Sequence, residues 1–201
     1  MAFKVTLGEI KKLALDAKYK VWEDAKSLYR EPKIYLHWTA GMYDSVFSSY
    51  HINITGSGVI YATTNDFSEI LSHTWRRNTG AIGITLCCAH QATTNNLGNY
   101  PPTATQIDFM GQVGCIIADA WDLTIDKYRV LTHGEAADNE DGLELHEDYG
   151  PRTTCERWDL EVLGLEQSVS FNPYATDGSR GGDIIRGKMN FYRNEKLSSK
   201  V

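Results

Sequence analysis

The chain has no apolar run approaching the ~20 residues that a membrane-spanning helix requires, which argues against a transmembrane segment. Met1 to Lys20 alternates apolar residues with Lys4, Lys11, Lys12 and Lys18. It lacks the roughly 7–15-residue apolar core of a secretory signal and reads as a mature cytoplasmic start. Positive charge is also scarce. The net charge is −6, and lysines and arginines are scattered without a basic stripe. That disfavours nucleic acid as a partner, because phosphate neutralisation and counterion release supply most of such affinity. Cysteine is limited to four residues, of which Cys87 and Cys88 are adjacent on an expected strand and face opposite sides. A disulfide framework is therefore not expected. Cys115, in the apolar helix Gly111 to Ala120, reads as a small core residue, and Cys155 stands in a polar loop. Neither internal repeats nor a separate cell-wall anchoring domain is evident.

What is present is an ordinary globular composition: 201 residues, 42% hydrophobic and 23% charged, enough for one well-packed domain. Apolar positions between Leu7 and Tyr29 recur at helical spacing and predict one or two amphipathic helices, ended by Pro32. Ile34 to Leu36 begins the first expected strand. Tyr50 to Ile54 alternates with period two, and Thr55-Gly56-Ser57-Gly58 turns it into Val59 to Tyr61, a hairpin. Ala81 to Cys88 is nearly continuously apolar, as a central strand is. His90 to Pro102 reads as a polar loop, and Thr103 caps a largely buried helix from about Ala104 to Trp121. Tyr128 to Thr132 is a further strand. Gly134 to Arg152 holds seven acidic residues and four glycines or prolines and reads as a loop. A last helix is expected from about Asp159 through Leu165. Beyond Val169 apolar periodicity fades, and Gly178 to Gly187 reads as a flexible tail.

Two histidines stand out. His37, in Leu36-His37-Trp38-Thr39-Ala40-Gly41, falls at the exposed end of a short strand before a glycine turn, and His133 follows Leu131-Thr132 in the same way. Each reads equally as a structural residue at a strand end. Neighbouring parallel strands, however, end on one side of a sheet, so the two can meet. A catalytic zinc site takes three protein ligands and leaves a position for water. Downstream, Thr153 to Leu160 offers both a thiolate, Cys155, and a carboxylate, Asp159.

The ordered series His-Trp-Thr-Ala-Gly, Tyr-His-Ile-Asn-Ile, His-x4-Asn-x3-Ile-Gly-Ile and Leu-Thr-His resembles the type 2 zinc-dependent N-acetylmuramoyl-L-alanine amidases. That family includes phage lysozyme amidases and the animal peptidoglycan recognition proteins. The resemblance runs from about Ile34 to Leu165. It implies His37 and His133 as zinc ligands and Tyr50 as the tyrosine beside the reacting carbonyl. It also implies a peptide groove that includes Trp38, Thr39, His73 and Asn78. Two alignments compete for the third ligand. Arg157-Trp158-Asp159 fits the spacing of a basic residue two before the ligand, which makes Asp159 the ligand and Arg157 the cation facing the oxyanion. Thr153-Thr154-Cys155 fits the Thr-x-Cys of active recognition proteins, which makes Cys155 the ligand. Asp159 is favoured because it brings a charged partner suited to transition-state stabilisation. Some bacterial members carry a catalytic glutamate where this chain has Thr85, so the tyrosine-type mechanism fits better. The span from His133 to Asp159 is longer than in comparable members.

The resemblance thus implies a single α/β domain with a central mixed β-sheet flanked by α-helices. It divides into an N-terminal helical segment (1–33), a zinc amidase domain (34–168) and a C-terminal tail (169–201). The expected partner is peptidoglycan, the expected cofactor Zn²⁺ and the expected state a monomer. Made without a signal peptide, the protein is expected to reach the cell wall by phage lysis or on a phage particle. The rival expectations are a catalytically silent peptidoglycan-binding module of the same fold, and an enzyme acting on a different amide.

Overall fold

In the computed structural model, which describes residues 1–93, 96–143, 158–168, 172 and 175–201, six strands form one mixed sheet. The strands are β1 (Phe3–Lys4), β2 (Lys33–Trp38), β3 (Ile52–Ile54), β4 (Ile60–Ala62), β5 (Ala81–Leu86) and β6 (Val130–Thr132). Their order across the sheet is β1-β4-β3-β5-β2-β6. β3, β5, β2 and β6 run parallel, while β4 pairs antiparallel with both β1 and β3. The chain is a single α/β domain with helices flanking this sheet. The expected hairpin is β3 to β4, and β5 is an interior strand whose residues are all buried. β1 precedes the strand expected to be first.

One helix, α1 (Leu7–Ser27), covers the N-terminal segment. Thr6 caps it and Glu9 reaches back to the Thr6 amide, so two orphan N–H groups are satisfied reciprocally. The buried helix α2 (Ala104–Ala120) begins with the same device, Thr103 paired with Gln106. Gln106 goes further: its buried side-chain amide donates to the carbonyls of Ile54 and Cys87, tying α2 to the ends of β3 and β5. Trp121 closes α2 against α1, its indole N–H donating to the Ala14 carbonyl at 2.8 Å. The core therefore lies between the sheet and these two helices.

Three expectations need correction. Gly134 to Ala137 is not loop but part of a short helix, α3 (His133–Ala137), started by the Thr132–Glu135 capping box. The helix expected from Asp159 to Leu165 is replaced by turns and an isolated bridge between Leu165 and Ser168. Leu160 and Gly164 both adopt left-handed backbone, which ends any helix there. Finally, the stretch read as a flexible tail contains α4 (Gly181–Asn194), packed on α2 with Ile185 and Met189 buried. Four-residue apolar spacing prevails over three glycines, two of which sit in the first turn. No described helix is long and apolar enough to cross a membrane.

Candidate metal centre

The register of the parallel strands builds the site. Leu36 of β2 pairs with Thr132 of β6, so the next residues along the two strands, His37 and His133, lie side by side. Their rings are 4.9 Å apart, centroid to centroid. His37 occupies the fifth of six positions in β2 and is fully buried, not exposed as its strand-end setting implied. His133 is the first residue of α3.

The third arm comes from the turn after the longest undescribed segment. Asp159 Oδ2 lies 3.5 Å from His37 Nδ1 and 3.8 Å from His133 Nδ1. One donor atom from each of His37, His133 and Asp159 falls within 4.8 Å of the others. Two imidazoles and a carboxylate are a donor set able to coordinate a divalent metal ion. Burial pushes the Asp159 carboxyl upward, yet hydrogen bonding to His133 and His37 outweighs it and holds the group well below the usual carboxylate range. The trio is thus an anion between two imidazoles, ready for a cation. Cys155 and Arg157 lie outside the described residues.

A hydroxyl orients the first histidine. Thr74 Oγ1 is 3.3 Å from His37 Nε2 and 2.9 Å from His73 Nδ1. A hydroxyl has one proton, so Thr74 accepts from one ring and donates to the other. When Nδ1 of His37 is the ligand atom, Nε2 carries the proton and donates to Thr74, which in turn donates to His73. His73 is then protonated at Nε2, an atom that is buried and without a hydrogen-bond partner among the described residues. Burial, and after it the neighbouring imidazoles, hold His73 neutral, well below the ordinary histidine range. Gly83 makes this packing possible: a Cβ there would stand 2.7 Å from the His73 ring.

A cavity of about 510 Å³ opens beside the trio, lined among others by Trp38, Thr39, Tyr50, His73, Trp158 and Asp159. Tyr50 sits in the turn before β3, its ring 5.0 Å from that of His37. Trp38 and Trp158 meet edge to face at 4.9 Å and form an apolar wall. Thr39 Oγ1 is engaged by the Gly41 and Cys88 amides and so shapes the cavity floor. Asn78 does not line the cavity. Its carboxamide oxygen accepts from the His73 and Thr74 amides, at 3.1 and 2.8 Å, and folds the turn that presents both. Thr85 pairs with His37 in the sheet and is fully buried.

Thr74 and Trp158 are site residues to which the sequence did not point. Thr74 follows His73 directly, and a hydroxyl next to a histidine in a turn was the available signal. No family model and no curated protein matches the chain. Among solved structures, the Ph2119 endolysin from Thermus scotoductus MAT2119 bacteriophage Ph2119 is similar over 52% of this chain and 73% of its own, at 18% identity and a TM-score of 0.40. A likeness of that extent says nothing about chemistry.

Proposed function

We propose that this protein is a zinc amidase that cleaves the bond between N-acetylmuramic acid and the L-alanine of the peptidoglycan stem peptide. The observation that carries the proposal is the convergence of His37, His133 and Asp159 at the end of parallel strands, beside an open cavity. The substrate class rests on the resemblance of the ordered motifs from His37 to His133. Zinc bound to such a trio lowers the pKa of a coordinated water to about 7 and polarises an amide carbonyl.

The chain's own residues supply the remaining roles. Tyr50, on the cavity wall next to His37, donates its phenol proton as a hydrogen bond to the carbonyl oxygen while negative charge builds there. Arg157 is proposed as the second group facing that oxygen. His73 lines the groove for the stem peptide, and the Trp38 and Trp158 pair gives the substrate an apolar wall. Thr74 holds the His37 tautomer that leaves Nδ1 as a ligand. Water adds to the lactyl carbonyl, the C–N bond breaks, and the L-alanine amine leaves with a proton derived from that water. Under this proposal the protein acts on the cell wall, reached in phage lysis or on a phage particle.

Purified muropeptides incubated with the zinc-loaded protein and analysed by mass spectrometry test the proposal. A new free L-alanine amine supports it. Zinc binding with peptidoglycan retention but no product makes the protein a binding module, and cleavage elsewhere makes it an enzyme for a different amide.

A further inference from the structure

The two ligand-bearing segments that meet at the cavity are fastened from behind by one element, the N-terminal end of α4. Arg180, its N-cap, forks onto Glu161, with Nε to Oε2 at 2.8 Å and Nη2 to Oε1 at 2.7 Å. Glu161 lies two residues past Asp159. Arg186, on the next turns, forks onto Glu135 at 2.7 and 2.8 Å and also donates to the Val130 carbonyl of β6. Glu135 lies two residues past His133. All four side chains are buried.

The two forks are linked. Glu135 accepts from the Thr132 amide, and the Thr132 hydroxyl reaches Glu161 at 3.5 Å. A closed ring therefore runs Arg180, Glu161, Thr132, Glu135, Arg186 and back through α4. His133 and Asp159 both project from this ring. Between the arginines, Gly181 and Gly182 have no room for a side chain. A Cβ on Gly181 would collide with the Leu160 carbonyl, next to Asp159, and one on Gly182 would stand 2.5 Å from a Glu135 carboxylate oxygen. The Gly181 amide also donates to the Glu161 carbonyl. Two planar guanidinium forks and two glycines thus bring one helix end against both segments, whereas a cap serving helix stability alone needs none of these contacts.

We infer that Arg180, Gly181, Gly182 and Arg186 are positioning residues that set the distance between His133 and Asp159, and so the metal affinity of the centre. The inference rests on the proposal that the trio holds zinc. Asp159 sits in a turn with left-handed Leu160 at its side, on a segment with no helix or strand of its own to hold it. Its place relative to His133 is fixed through Glu161.

The test is zinc affinity of the full chain, measured by competition with a chromogenic chelator, on protein whose far-ultraviolet circular dichroism shows it folded. Arg180→Lys keeps the charge and loses the fork; Gly182→Ala keeps both arginines and pushes the Glu135 carboxylate out of place. Each is expected to weaken zinc binding roughly 10- to 100-fold, the usual loss when a group supporting a ligand is altered. Trp121→Phe, at the distant α1–α2 contact, serves as the control for lost stability and leaves zinc affinity unchanged. Folded Arg180→Lys and Gly182→Ala proteins with wild-type affinity overturn the inference and leave the metal reading standing. A wild-type protein that binds no zinc overturns both. If neither variant folds, Arg186→Lys replaces them, and failure of all three to fold makes the ring a folding element and overturns the inference.

Discussion

Asp159 Oδ2 stands 3.5 Å from His37 Nδ1, a carboxylate carried by a turn against an imidazole carried by an interior strand. A cation held between them would satisfy the donors of His37, His133 and Asp159 at once. Asp159→Ala is therefore expected to abolish zinc binding, read as metal-to-protein ratio after gel filtration, while Cys155→Ser retains it. The reverse pattern assigns the third ligand to Cys155.

Thr74 supports the centre without belonging to it. Thr74→Val keeps the volume and the branched shape but deletes the bridge between His37 Nε2 and His73 Nδ1. Loss of a partner to a liganding histidine costs on the order of 10–100-fold in metal affinity or activity. Thr74→Ser, which retains the hydroxyl, is expected to restore most of it. Equal zinc affinity in Thr74→Val and wild type would show that the bridge does not orient His37.

Tyr50 separates chemistry from binding. Its ring packs 5.0 Å from that of His37, yet a phenol is not needed to hold the metal. Tyr50→Phe is expected to lower kcat on muropeptides by about 10²–10³, the range for removing one oxyanion donor, with zinc content unchanged. A fall in zinc content instead would make Tyr50 part of the metal's support.

The strand-borne half of this site is legible in the sequence, and the turn-borne half is less so. His37 and His133 announce themselves because short apolar runs, Ile34 to Leu36 and Val130 to Leu131, predict strands with local information alone. Asp159 is visible as a candidate by type and spacing, but the helix expected around it is absent, since Leu160 adopts a left-handed backbone that leucine propensity does not announce. The α4 ring was hidden for a different reason. Gly181 and Gly182 look like linker residues when read by composition, and their small size matters only once Glu135 and Leu160 are known to lie against them. Arg180 and Glu161 likewise pair across a stretch whose periodicity is weak.

His51 ties the packing behind His73 to pH. It is fully buried, accepts from the Gly83 amide at Nδ1 and donates from Nε2 to the Glu69 carbonyl. Burial pushes it down to about 4, although the Glu69 carbonyl, and the Glu69 and Asp66 carboxylates more weakly, act the other way. In the unfolded chain the group returns to about 6.5. The folded state thus binds the proton less readily, so His51's contribution is fully present above about pH 6.5 and is lost as pH falls toward 4. The loss amounts to about 3 kcal/mol over that window, at roughly 1.4 kcal/mol per pH unit. His51→Gln retains an acceptor and a donor but does not titrate. Urea unfolding at pH 7 and pH 4.5 is expected to show a smaller acid loss for the variant, by about 2–3 kcal/mol, with the other histidines common to both proteins. An identical acid loss in the two proteins would show that His51 does not carry it.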